Sequence, residues 1–276
     1  SVFDQAKSNG ANGDGFDQIQ KRLGGIEKDT GVDATSKKPK QPPKEQVQPL
    51  IDLYSRGQYQ ETLDLASQLL KQFPSSFNLY NLIGAACKGL GKLEEAIGAY
   101  NKALSIKPDY VEGYYNMAVA FQEQEKLEEA IEAYQKAITL NLDYADAYYN
   151  MGNALQDQGK LDKAVEAYKK VLLIKPEHVE THNNMGVTLQ DQGKLEEAIE
   201  AYNKALSIKP DHTQTYKNAT ELLKIYTPKS LKSCSLFKID NKIKKLSKGL
   251  IDAKLSQDIV SSLSEGLDYI SEDRFT

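Results

Sequence analysis

From Pro43 to about Tyr226, apolar residues recur three and four positions apart and never alternate for long, a pattern that predicts short amphipathic helices and no strands. The stripes are interrupted at near-constant intervals by Gly-Lys or similar pairs and by Pro74, Pro108, Pro176 and Pro210, which stop helices. The prolines set a phase of five units, 43–76, 77–110, 111–144, 145–178 and 179–212, each holding two helices. One word, Tyr148-Tyr149-Asn150-Met151-Gly152-Asn153, has close copies upstream and downstream, and Asn116, Asn150, Asn184 and Asn218 stand 34 residues apart. A period of this length means stacked supersecondary units and no single buried centre.

The residue choices suit paired helices. Ala96, Ala130, Ala164 and Ala198 are small enough to let two helices approach, and Tyr100, Tyr134, Tyr168 and Tyr202 follow four positions on, along the same face. Met117, Met151 and Met185 fill the first helix's core stripe, followed by Ala118, Gly152 and Gly186 where a neighbour must come near. The first unit diverges most, with Thr62 in the alanine slot and Ala66 in the aromatic slot, and the third has Leu142 where the others carry proline.

These features resemble the tetratricopeptide-repeat (TPR) family: 34 residues, a small residue after an apolar one in helix A, Ala-x3-aromatic in helix B, and a terminal proline. The resemblance covers about 43–226, with Thr213 to Tyr226 as an unpaired helix A that caps the stack. It implies an all-α, right-handed TPR superhelical solenoid of five helix-turn-helix repeats plus a capping helix at 213–226, whose A helices line a concave groove.

The flanks differ from the array. Residues 1–42 carry six glycines and end in Lys37-Lys38-Pro39-Lys40-Gln41-Pro42-Pro43, a linker composition with one short helix expected from Phe16 to about Leu23. Asn12-Gly13-Asp14-Gly15 fails as a calcium loop, because Gly10 and Lys21 stand where carboxylates belong. Residues 227–276 form a Lys-rich C-terminal helical extension, with helices expected from Phe237 to about Ala253 and from Ser256 to about Ile270.

Charge sharpens the contrast: residues 43–226 carry 19 Lys+Arg against 26 Asp+Glu, whereas 227–258 carry eight Lys against three Asp. No apolar run approaches the roughly 18 residues that span a bilayer, and Cys87 and Cys234 are too few and too far apart for a disulfide framework. The reading is a cytoplasmic protein with no membrane partner. The basic tail reads as a solvated helix face before a nucleic-acid or membrane surface, since it lacks interleaved aromatics beyond Phe237.

Catalysis finds no constellation. His178 and His182 stand i,i+4, but His182 fills the aromatic slot of Tyr114 and Tyr148 and no third ligand is near, so no metal and no cofactor are expected. Gly91-Lys92 lacks the spacing and the Ser/Thr of a phosphate loop.

What remains for chemistry is the ladder Asn116, Asn150, Asn184 and Asn218. A primary amide offers donors and an acceptor that match peptide backbone without reading its side chains. The alternative is that these asparagines bond to the neighbouring helix and stiffen the stack. The nucleocytoplasmic O-linked N-acetylglucosamine transferase family has a similar Tyr-x-Asn-Leu/Met-Gly/Ala pattern, and that resemblance implies amides in contact with peptide backbone. Unit two departs from it, with Asn81 one place early and Leu82 in the ladder slot.

Further candidates for a peptide-binding face are Tyr115, Tyr149, Asn153, Gln122, Gln156, Gln190, Asp157 and Asp191, with Glu123 at the equivalent position of unit three. Glu112, Asp146 and Glu180, near the start of helix A, are equally accounted for by the helix dipole. The expected function is a non-catalytic scaffold that binds an extended, Lys/Arg-containing polypeptide or protein segment. The alternatives are the substrate-recruiting arm of a larger, glycosyltransferase-like enzyme and a self-assembling homo-oligomer.

Overall fold

The computed structural model describes residues 41–225, and these contain eleven α-helices and no strand. The helices expected at Phe16–Leu23, Phe237–Ala253 and Ser256–Ile270, the Asn12–Gly15 stretch, and Cys234 lie outside the described residues. The chain divides into two compact units, Ser1–Leu140 and Asn141–Thr276.

The first unit contains α1 (Lys44–Ser55), α2 (Tyr59–Gln72), α3 (Phe77–Gly89), α4 (Leu93–Ile106), α5 (Val111–Glu123) and α6 (Leu127–Leu140). The second contains α7 (Ala145–Asp157), α8 (Leu161–Ile174), α9 (Val179–Asp191), α10 (Leu195–Ile208) and α11 (Thr213–Ile225). Odd-numbered helices are the A helices and even-numbered ones the B helices. Within each unit every A helix packs on the following B helix, and each B helix on the next A helix.

The expected helix-packing residues are buried as pairs. Ala96, Ala130, Ala164 and Ala198 have no exposed surface, and neither do Tyr100, Tyr134, Tyr168 and Tyr202. The tyrosine rings reach the small residue on the preceding A helix. A Cβ placed on Gly152 would lie 2.6 Å from Tyr168 Cε1, and one on Gly186 would lie 2.5 Å from Tyr202 Cε1. Of the three methionines, Met117 is buried but Met151 and Met185 are only half-buried, so the core stripe is shallower in the second unit than the pattern suggested. Thr62 in the alanine slot is fully buried, and its hydroxyl donates to the Gln58 carbonyl at 2.8 Å, which satisfies the extra polar group.

Four of the five A–B turns place glycine in the left-handed region, with φ of 72–74° at Gly57, Gly91, Gly159 and Gly193. The N–H of the following residue bonds back to the A helix, as Lys92 does to the Cys87 carbonyl at 2.9 Å, which is a Schellman closure. The turn after α5 has Glu125 at φ 60°. At the far end α11 lays Tyr216, Ala219 and Leu222, all without exposed surface, against Ile199, Tyr202 and Leu206. An unpaired A helix thus covers the last repeat's apolar face.

Candidate functional site

The candidate residues lie on the A helices, and the ladder asparagines Asn116, Asn184 and Asn218 each reach back 35 residues to an oxygen on the preceding A helix. In the first unit Asn116 Nδ2 donates to Asn81 Oδ1 at 2.9 Å. In the second, Asn184 Nδ2 donates to the Tyr149 hydroxyl at 3.0 Å and to Asn153 Oδ1 at 3.1 Å, and Asn218 Nδ2 donates to Asn183 Oδ1 at 2.9 Å. Asn81, the residue one place early for the ladder, is therefore the acceptor column for the next repeat. Asn150 occupies the ladder position of α7 and is half-buried, as Asn116, Asn184 and Asn218 are.

The glutamines serve the core. Gln122, Gln156 and Gln190 each accept through Oε1 from the buried tyrosine hydroxyl twelve residues on, Tyr134 at 3.0 Å, Tyr168 at 3.0 Å and Tyr202 at 3.1 Å. A buried hydroxyl without a partner costs about 1–3 kcal/mol, so this row anchors the B helix to the A helix. Unit 77–110 shows the exception: Lys88 stands in the glutamine column, and the Tyr100 hydroxyl is buried without a partner. The Lys88 ammonium meets Glu123 at 2.8 Å instead.

Asn153 joins both systems, its Oδ1 accepting from the Tyr168 hydroxyl at 2.8 Å as well as from Asn184. Asn183 donates to Asn184 Oδ1 at 3.1 Å, and Gln214 donates to Asn218 Oδ1 at 2.9 Å. The second unit thus carries one directional amide chain, Gln214 to Asn218 to Asn183 to Asn184 to Tyr149 and Asn153. Asn183, only 5% exposed, was missed among the candidates. Its signal was available in the column that Asn81, Tyr115, Tyr149 and Asn183 share, an oxygen-bearing side chain at each position.

Tyr149 is half-buried, tilted against the Tyr168 ring at 6.2 Å and against the His178 ring at 5.3 Å. Burial raises its pKa above 10.0, with the Glu180 charge adding to the shift and amide hydrogen bonds from Asn153 and Asn184 opposing it. Tyr115 is tilted against Tyr134 at 5.9 Å in the first unit. The phenols of Tyr168 and Tyr202 are held neutral chiefly by burial, reinforced by the negative charges of Asp157 and Asp191 respectively.

Asp157 and Asp191 themselves are exposed and have no ion partner among the described residues. Asp146, by contrast, meets the Lys175 ammonium at 3.0 Å, and Glu180 lies 3.7 Å from His178 Nδ1. Glu112 is half-buried in the first turn of α5. His182 is buried at the aromatic slot, and its Nε2 donates to the Pro176 carbonyl at 2.9 Å. Tyr216, one repeat later, donates its hydroxyl to the Pro210 carbonyl in the same way. Among the described residues no three His, Cys, Asp or Glu side chains gather as a metal site, and no helix is long and apolar enough to cross a membrane.

The repeat units match two family models, Tetratricopeptide repeat over residues 143–211 and TPR repeat over 87–125 and 123–159, so residues 87–211 are tetratricopeptide repeats. The peroxisomal targeting signal receptor of Candida glabrata is 36% identical over 67 residues, 24% of this chain and 11% of the receptor. An Hsp70-Hsp90 organising protein of Plasmodium falciparum is 32% identical over 81 residues, 28% of this chain and 32% of that protein. The matched stretch therefore spans a small part of each relative. Among solved structures, MamA superposes with a TM-score of 0.56 at 28% identity, covering 60% of this chain and 96% of MamA. YrrB, described as a TPR protein with an unusual peptide-binding site, does so with a TM-score of 0.56 at 24% identity, covering 64% of this chain and 92% of YrrB, which speaks to the fold alone.

Proposed function

We propose that this chain is a non-catalytic interaction module whose A-helix face holds an extended polypeptide segment. The observation that carries the reading is the ladder of half-buried amides, of which Asn116, Asn184 and Asn218 are fixed in position by the preceding repeat with hydrogen-bonding capacity left over. A primary amide has two N–H donors and two acceptor lone pairs. Asn116 spends one donor on Asn81, and Asn218 spends one donor on Asn183 and one lone pair on Gln214. Both keep a donor and an acceptor for peptide backbone, already oriented, which lowers the cost of binding. Asn184 spends both donors and keeps one lone pair, so it is an acceptor site for backbone N–H.

The carboxylates of Asp157 and Asp191, without an ion partner among the described residues, favour a Lys/Arg-containing segment. Glu123, their counterpart in the preceding repeat, already holds an ammonium group at 2.8 Å, supplied by Lys88 of the same chain. The names of the relatives, a targeting signal receptor and a chaperone-organising protein, are consistent with a binding role for this kind of repeat.

The test is an array of short unrelated peptides probed with the full chain, followed by anisotropy titration of the best binder. The expected result is enrichment of Lys/Arg-containing sequences, with affinity reduced about tenfold by Asn150→Ala combined with Asn184→Ala, as the loss of one or two hydrogen bonds of about 0.5–1.5 kcal/mol each requires. Equal affinity of the double variant would exclude the ladder as the binding element.

A further inference from the structure

All three histidines of the chain stand at the starts of two successive A helices of the second unit: His178 caps α9, His182 lies one turn into it, and His212 precedes α11. His178 Nδ1 accepts from the Thr181 backbone N–H at 3.2 Å and faces the Thr181 hydroxyl at 2.9 Å. His212 Nδ1 faces the Thr215 hydroxyl at 2.6 Å, the counterpart of the side-chain contact one repeat on. An imidazole nitrogen can accept a first-turn backbone N–H only while it carries no proton, and imidazole is the side chain that changes charge between about pH 5 and 8. In the first unit the cap of α3 is Ser76, whose Oγ accepts from the Leu79 N–H at 3.3 Å and does not titrate in this range.

We propose that the second unit carries a pH switch, in which protonation of His178 withdraws the cap from α9 and turns the imidazolium toward Glu180. The alternative partner is already in place, Glu180 Oε2 at 3.7 Å from Nδ1. Among the described residues, groups near the ring include the Tyr149 phenol of α7 at 5.3 Å between ring centroids, His182 on the next turn of α9, and Lys175 and Glu177, which line one recess with His178; the Lys175 charge is met by Asp146. An imidazolium at the positive end of the α9 dipole is also unfavourable, which adds to the drive to leave the cap. The bond lost belongs to the helix that presents Asn184, and the ring that moves rests on Tyr149, the acceptor of Asn184. Acidification therefore loosens the ladder of the second unit and leaves that of the first unchanged. This inference rests on the peptide-binding reading only for its consequence, release of the bound segment.

The experiment follows the protection of the Thr181 amide against hydrogen exchange, normalised to its intrinsic rate, in the full chain at about pH 7.5 and about pH 5. His182→Tyr serves as the background, which removes the other histidine of α9. Protection at Thr181 is expected to fall about tenfold on acidification, within the range that loss of an N-cap produces, while Leu79 in the first unit keeps its protection. In His178→Asn, where the cap is retained by a side chain that does not titrate, protection is expected to be the same at both pH values. Unchanged protection in the parent, or an equal fall in His178→Asn, overturns the switch. A chain that binds no peptide at either pH while Thr181 still loses protection upholds the switch and overturns the binding reading instead.

Discussion

Single side chains in this molecule carry polar obligations that the repeat meets by position, and two positions depart from the rule in testable ways. His182 occupies the slot that Tyr216 fills one repeat later, but its second nitrogen, Nδ1, is buried without a partner. Burial holds its pKa below the ordinary 6.5, against the bond to Pro176, which pulls the other way, and the nearby charges of Lys204 and His178 lower it further. The unfolded chain therefore takes up this proton at higher pH than the folded one. The resulting stability is complete above about pH 6.5 and is lost as pH falls toward the depressed folded value. Melting temperature is expected to drop between about pH 7 and 5, and His182→Tyr is expected to reduce that slope by restoring the repeat's own hydroxyl, leaving the part that the His178 cap contributes. A slope that is undiminished in the variant would assign it to other groups. Lys88 is the second departure: Lys88→Gln supplies the acceptor that the buried Tyr100 hydroxyl lacks and is expected to stabilise the chain by about 1 kcal/mol in chemical denaturation. Loss of the exposed pair with Glu123 offsets little of this.

At the scale of the element, the helices repeat one design closely enough that each exception identifies its own repair. The turn after α5 forces Glu125 to a φ of 60°, where the other turns use glycine. Glu125→Gly is expected to stabilise by about 1 kcal/mol, the cost of the left-handed region for a residue with a Cβ. On α4, Gly98 is exposed and a Cβ there would meet no atom within 4 Å, whereas the equivalent positions hold Glu132, Glu166 and Glu200. Gly98→Glu is expected to add about 1 kcal/mol from helix propensity and an i,i+4 pairing with Lys102, read as a raised denaturation midpoint at unchanged slope. Much of this level was legible in the sequence, because Gly152 facing Tyr168, or Ala130 four residues before Tyr134, is dictated by size and spacing. The half-burial of Met151 and Met185 was not, since an apolar residue in a helical stripe gives no measure of how deep the stripe lies.

For the molecule as a whole, the period predicted the helix pairs and the covering role of α11, but it left the asparagines divided between ligand and scaffold. The structure gives Asn116, Asn184 and Asn218 scaffold bonds that reach back 35 residues, and that register crosses from one repeat to the next. A pattern of one residue type at a fixed interval does not display it; the partners are Asn81, Tyr149 and Asn183, which share only an oxygen. The binding role therefore rests on what each amide has left after its structural bond is made. Asn81→Ala and Asn116→Ala separate the two contributions, because each deletes the same inter-repeat bond and only the second deletes the ladder amide. Melting temperatures of the two variants are expected to fall together. The decisive measurement is the affinity of the array-selected peptide for both: the account predicts that Asn116→Ala binds about three- to tenfold more weakly than Asn81→Ala, and equal affinities would contradict it.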